Sequence, residues 1–343
     1  MRSMFTSTSI SHLILFSGLS DKTKLSFSSS NSSFLECTRK HDTHYLLSNG
    51  ECNPSQSSYQ DNQEMERLSC STTDGDYSFS NCRWSICSYA SNASCIYLVN
   101  SSSSLTVDKC SFTDCKANAG CGGAIYGYNI NRVNVMQSSF LRCNILSSSH
   151  SEHGGGGMYL EYVTDEVIIQ SSSFIDSSVP HDSGGVDMWY CSCTSGHTNT
   201  FQDCKFIECV GVDNDGGGIM AWETTYNVGI INTLFASCSS YLGGGIRIYI
   251  PFVGSCESIA FCFFDNNSGT WGHDICTTPK LSTSPFIHCF STKNEKNHGY
   301  WMPGVYSWYS PPDTDWLPHV KDNRNGLLHY HLILLQSSHS ISV

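Results

Sequence analysis

Charge is scarce in this chain: only 14% of its 343 residues are Asp, Glu, Lys or Arg. Amphipathic helices draw heavily on Glu, Lys, Ala and Leu. The filler here is Ser, Gly, Asn and Thr, which enter turn and left-handed conformations at low cost. Short strands joined by many turns are expected, and the class is all-β. Basic residues are scarcer still, 18 against 30 acidic ones, giving a net charge of −12 with no Lys/Arg cluster. Nucleic acid and anionic membrane surfaces are therefore disfavoured as partners. The chain also lacks an apolar run of about eighteen residues, so no transmembrane helix is expected. Its two apolar stretches, Ile10–Leu19 and Leu327–Leu335, are short and interrupted by polar side chains. The first reads equally as the core of a leader or as a first strand.

Cysteine is abundant instead, 19 residues and an odd number. Two uses compete: disulfides in an exported protein, or buried thiols acting as small apolar side chains. Position decides between them. A Phe followed three residues later by Cys, Ser or Asn recurs at Phe112–Cys115, Phe140–Cys143, Phe174–Ser177, Phe206–Cys209, Phe235–Cys238 and Phe264–Asn267, with phenylalanine spacings of 28, 34, 32, 29 and 29. Weaker copies read as Phe34–Cys37, Phe79–Cys82 and Phe286–Cys289. Between successive copies falls a Gly-Gly pair and an apolar residue, its second glycine at Gly123, Gly157, Gly185, Gly218 and Gly245. Five residues before each Phe stand Val107, Val135, Ile169, Phe201, Ile230 and Ile259. Apolar residues alternating over short stretches are strand-like.

A helix-free unit of about thirty residues stacks naturally as the coils of a solenoid. Equivalent side chains then form ladders one strand spacing apart, about 4.8 Å. A β-propeller is the rival, but a blade needs four full strands and the unit leaves little room for them. The fold expected is a right-handed parallel β-helix of about six to nine coils. Residues 1–104 hold degenerate N-terminal coils and a cap, 105–290 the core repeats, and 291–343 a divergent C-terminal segment. Cysteines in the column after Phe, read as Cys37, Cys82, Cys115, Cys143, Cys209, Cys238 and Cys289, are expected as packed thiols, because stacked side chains point the same way and make poor disulfides. Cys191 and Cys193, in a loop, are expected to be oxidised or exposed.

The alternation of GG-[AMVI] with F-x-x-[CN] resembles the repeats of the polymorphic outer-membrane protein family, whose motifs are GGA[ILV] and FxxN. Gly122–Ile125 (GGAI) matches the first and Phe264–Asn267 (FDNN) the second, and Asn266–Ile275 has the look of such repeats. The similarity spans about residues 105–290. It implies a pectin-lyase-like β-helix on a cell surface or secreted, with an adhesive role toward a host or neighbouring-cell glycan or protein. Cys replaces the family's Asn in most copies. Sequons at Asn31, Asn92, Asn100 and Asn266 lend mild support to export.

Parallel β-helices also include polysaccharide lyases and hydrolases, which makes a carbohydrate-active enzyme or glycan-binding module the alternative. The NTD, DD and GHG motifs of such hydrolases are absent. The nearest acids, Asp182, Asp187, Asp213 and Asp215, lie beside the Gly-Gly pairs and read as solvated turn residues, so no catalytic residue is assigned. Acids converging on one groove would favour the enzyme. The pairs His329/His331 and Cys191/Cys193 and the His273-Asp274 step lack the partners of a structural zinc site, so no metal or cofactor is expected. Counting from the second Gly, the fourth residue faces outward: Gly127, Glu161, Trp189, Trp222 and Tyr249. An aromatic ladder of Trp189, Trp222 and Tyr249 is the candidate ligand-binding surface.

Overall fold

The computed structural model describes residues 57–59, 68–70, 76–90, 92–99, 103–147, 154–193, 197–213, 215–222, 228–249, 256–278, 286–287, 289–292, 298–302 and 307–309. Among them every regular element is a short strand. One turn of the chain consists of Arg132–Met136, Ser139–Leu141, Asn144–Ile145 and Met158–Glu161. From Tyr77 to Thr278 every fourth strand returns to the same sheet, so four sheets run along the molecule, parallel except where Ser307–Tyr309 pairs antiparallel at the end of one. In the order of that turn they hold nine, eight, seven and ten strands, and are called here the first to the fourth sheet. The protein is a parallel β-solenoid. The turn made of Tyr77–Ser80, Arg83–Ser85, Ser88–Tyr89 and Ile96–Val99 has all four strands. His298–Met302 extends the fourth sheet in parallel beyond Ile275–Thr278.

Strand alternation decides what faces inward. Val133 and Val135 are buried while Arg132, Asn134 and Met136 are partly exposed. In register, Val107, Val135, Ile169, Phe201, Ile230 and Ile259 form one ladder, as expected. The second sheet carries the phenylalanine column. Phe112, Phe140, Phe174, Phe206, Phe235 and Phe264 are fully buried and stack with centroids 4.5–5.2 Å apart and planes within 8°. That separation is the strand spacing itself, and each buried ring contributes about 2 kcal/mol.

Glycine makes room for this column. A Cβ on Gly185 would lie 2.3 Å from the Gly218 carbonyl and 2.7 Å from the Phe206 ring. At Gly156 it would lie 2.3 Å from the Gly184 carbonyl, where adjacent coils touch backbone to backbone. The register moves one sequence assignment. Ile125 pairs with Met158, so Gly123 aligns with Gly156, and Ala124 occupies the column of Gly157, Gly185, Gly218 and Gly245. The fourth-sheet position facing outward on that coil is consequently Tyr128, and Gly127 pairs with the inward Leu160.

Each end of a second-sheet strand is a sharp corner. A residue with φ near +50° stands there, for example Gln137, Asp203 and Asn232 before the strand and Asp114, Asp176 and Ser237 after it. Left-handed backbone costs a non-glycine residue about 1–2 kcal/mol, and two hydrogen bonds offset it. The corner N–H donates to the adjacent coil, as Gln137 N does to Gln170 O at 3.0 Å. The next side chain donates back to the last strand carbonyl: Ser172 Oγ to Gln170 O at 2.9 Å, Thr233 Oγ1 to Ile231 O at 2.9 Å, Cys204 Sγ to Gln202 O at 3.2 Å. Cys, Ser and Thr interchange here because all three donate in this geometry.

Two cysteine columns exist rather than one. Trp84, not Phe79, heads the phenylalanine column, stacked on Phe112 at 4.5 Å, whereas Phe79 pairs with Val107 in the first sheet. The reading of Phe79–Cys82 as a Phe-x-x-Cys copy is thus corrected, and so is Phe286–Cys289, since Phe286 pairs with Ile259. Cys82 and Cys289 occupy the corner before the strand, where Cys82 N lies 3.4 Å from Cys110 Sγ. A short Phe-x-x-Cys spacing arises at either corner, which is why the sequence could not separate them. Phe34–Cys37 lies outside the described residues. Fifteen of the seventeen cysteines in the described residues are free thiols. Cys191 and Cys193 are buried, against the exposed or oxidised state expected, and burial pushes the Cys191 thiol up to about 12.

Candidate functional site

The outer face of the fourth sheet carries the candidate site. The strands Met158–Glu161, Val186–Trp189, Ile219–Trp222 and Ile246–Tyr249 pair in register, bringing Glu161, Trp189, Trp222 and Tyr249 into one row. Trp189 and Trp222 stack at 4.9 Å, and Trp222 and Tyr249 at 3.9 Å with planes 10° apart. The aromatic row expected from the sequence is formed. Its rings lie on one another, however, so their faces are spent within the stack and its length presents ring edges. Trp189 is 9% exposed, whereas Trp222 and Tyr249 are half-buried.

Two residues away on the same face runs a second row that sequence reasoning missed. Tyr97, Tyr126 and Tyr159 stack at 5.1 and 5.5 Å. The row continues through Asp187, Met220 and Arg247. The signal was present as tyrosines at one repeat position, obscured by the one-residue offset at Gly123. Tyr159, Asp187, Met220 and Arg247 are fully buried although they point away from the core, so this part of the face is covered. Tyr159 Oη donates to Glu161 Oε2 at 3.0 Å and ties the two rows together.

The acids expected as solvated turn residues are not solvated. Asp182, Asp187 and Asp215 are 2%, 0% and 8% exposed, and only Asp213 is open. Arg247 Nε donates to Asp215 Oδ1 at 3.3 Å, its Nη1 to the Ile248 carbonyl at 3.1 Å, and its guanidinium lies 5.9 Å from the Tyr249 ring centre. Asp187 Oδ2 accepts from Gly154 N at 3.1 Å, while Oδ1 is buried without a hydrogen bond. Burial, reinforced by the neighbouring Asp182, holds the Asp187 carboxyl well above the usual carboxylate range. Burial raises Asp215 too, and Arg247 opposes it. Three acids and one arginine thus converge, but behind a closed surface.

Another cluster lies on the exterior of the first sheet. Asp165, Glu166 and His197 bring ligand atoms within 4.8 Å of one another. Arg132 already sits among them, 2.5 Å from Asp165 and 3.0 Å from Glu166, so the carboxylates are charge-compensated in place. The Asn92 sequon is also structural: its Oδ1 accepts from Cys121 N at 2.7 Å. His329 and His331 lie outside the described residues, and among the described residues no helix is long and apolar enough to cross a membrane.

No family model, no characterised protein and no solved structure matches the chain.

Proposed function

We propose that the protein is a non-catalytic cell-surface or secreted scaffold that adheres to a glycan or protein of a neighbouring or host cell through the Trp222–Tyr249 end of the fourth-sheet ladder. The observation that carries this reading is the split along that face. Asp182, Asp187 and Asp215 are sealed away from solvent, while two stacked aromatic side chains remain half-exposed. Aromatic surface held rigid in a sheet favours binding, because little side-chain freedom is lost on contact. The low basic content and the resemblance to polymorphic outer-membrane protein repeats agree with a surface role.

The alternative, a carbohydrate-active enzyme, draws on the convergence of Asp182, Asp187 and Asp215. A glycosidase needs two carboxyl groups flanking the scissile bond, and a carboxylate with no exposed surface reaches no substrate, which speaks against it. Two measurements test the proposal. Surface labelling of intact cells, with protease shaving as control, should find the chain accessible; protein found wholly inside would overturn the localisation. Glycan-array and cell-binding assays should show binding that Trp222→Ala abolishes, and binding unchanged in that variant would sink the assignment of the ladder.

A further inference from the structure

The first fully four-stranded coil breaks the glycine rule, and what replaces glycine is chemically distinctive. Where later coils hold Gly157, Gly185, Gly218 and Gly245, and the next coil holds Ala124, this coil holds Cys95. Its side chain meets the second corner column, in which Cys87 and Cys115 stand on consecutive coils. Cys95 Sγ lies 3.1 Å from Cys115 Sγ, and the three sulfurs of Cys87, Cys95 and Cys115 all lie within 4.8 Å of one another. The last fully four-stranded coil shows the contrasting solution. There Asp274 holds the same position and is satisfied by protein groups, accepting from Asn267 Nδ2 at 2.9 Å and Ser291 Oγ at 2.5 Å. The cysteine version brings together three soft donors that make only weak hydrogen bonds with one another.

We propose that Cys87, Cys95 and Cys115 form a thiolate site for a soft closed-shell cation, Zn²⁺ or Cu⁺, that fastens the first four-stranded coil to the next. Thiolates select these two ions over harder ones. With metal–sulfur bonds of about 2.3 Å, sulfurs sit roughly 3.8 Å apart in a tetrahedral site and roughly 4.0 Å in a trigonal one. The Cys95–Cys115 separation of 3.1 Å is short of those values by less than an ångström and the other two are under 4.8 Å, a mismatch that side-chain rotation can take up. Cys95 and Cys115 are buried and Cys87 is half-buried, which leaves one side for entry of the ion. Each thiol that becomes a ligand gives its proton to solvent. Burial, then hydrogen bonding with Cys115 and Cys87, holds Cys95 above the ordinary thiol range, and a hydrogen bond with Cys143 is the largest cause of the rise at Cys115. Ion binding therefore strengthens with pH.

The test uses the full chain, reduced and anaerobic, titrated separately with Zn²⁺ and with Cu⁺ against a competing chromophoric chelator. The expected result is one tightly held equivalent of one of these ions per chain, with proton release and a rise in Tm. Cys95→Ala should lose that equivalent while keeping the fold, since alanine stands there in the next coil; circular dichroism checks the fold. Cys87→Ser serves as a second variant should Cys95→Ala fail to fold, and Cys204→Ser, at a remote corner, should bind as wild type. Uptake of neither ion, or unchanged stoichiometry in Cys95→Ala, would overturn the proposal. So would a Cys95–Cys115 disulfide found by mass spectrometry in the protein as its cell delivers it, because the ligands would then be consumed.

Discussion

The phenylalanine column of the second sheet and the Trp189–Trp222–Tyr249 stack of the fourth sheet are built by the same device. Both place one ring per coil in a parallel register, and both stack at about the strand spacing. They differ in what surrounds them. The phenylalanines are enclosed on every side, by the glycine column that leaves space for the rings and by the corner thiols and hydroxyls. The outer stack has one closed end at Trp189 and an open one at Trp222 and Tyr249. Stacking geometry alone therefore does not distinguish core from contact surface; enclosure does.

The sharpest way to break this comparison is to cut one ring from each ladder. Phe174→Ala leaves a cavity between two stacked neighbours and should cost about 3–5 kcal/mol, read by urea denaturation. Trp222→Ala removes a half-exposed ring and should cost about 1–2 kcal/mol. Equal losses would mean that the outer ladder is core as well.

Between the ladders in effect stands Asp187. Its folded carboxyl binds protons more tightly than an exposed aspartate, whose pKa is about 3.9. Above that value the unfolded chain has released this proton and the folded chain retains it. Asp187 thus lowers stability progressively as pH rises from there up to its folded pKa. Asp187→Asn keeps an acceptor for Gly154 N and should raise stability near neutral pH by about 1 kcal/mol. It should also flatten the decline in Tm with rising pH relative to wild type. A variant less stable at pH 7, with an unchanged pH profile, would show that the charged carboxylate is needed.

The smallest effect belongs to the corners. Cys204→Ser should change stability by no more than about 0.5 kcal/mol, because Ser138 and Ser172 cap the same carbonyl in their own coils. A loss several times larger, measured in the same denaturation assay, would mean that thiol packing matters more there than the hydrogen bond.

Much of this architecture was legible in the residues. Two motifs alternating at a steady interval can be satisfied only by a stacked fold, and β-branched residues at fixed offsets assigned the inward positions of Val107, Val135 and Ile169. The aromatic row at Trp189, Trp222 and Tyr249 was readable too, since strand parity is a local property. Legibility ended where the repeat is degenerate. Phe79 and Phe286 mimic the motif from the wrong sheet, and the extra glycine at Gly155 hid the offset that makes Tyr128 and the tyrosine row outward-facing. Outward-facing Leu234 and Phe263 on the second sheet are also buried, which parity alone could not foretell.

By itself the sequence determined the coil, its register over most of the core and the identity of the inward ladders, because these follow from period and side-chain alternation along the chain. Only the tertiary structure decided which outward residues are covered, that Asp182, Asp187 and Asp215 converge with Arg247, and that Cys95 meets Cys87 and Cys115. Those facts depend on how coils and connections pack across the face, and residues brought together from different strands and connections carry no local signal of it.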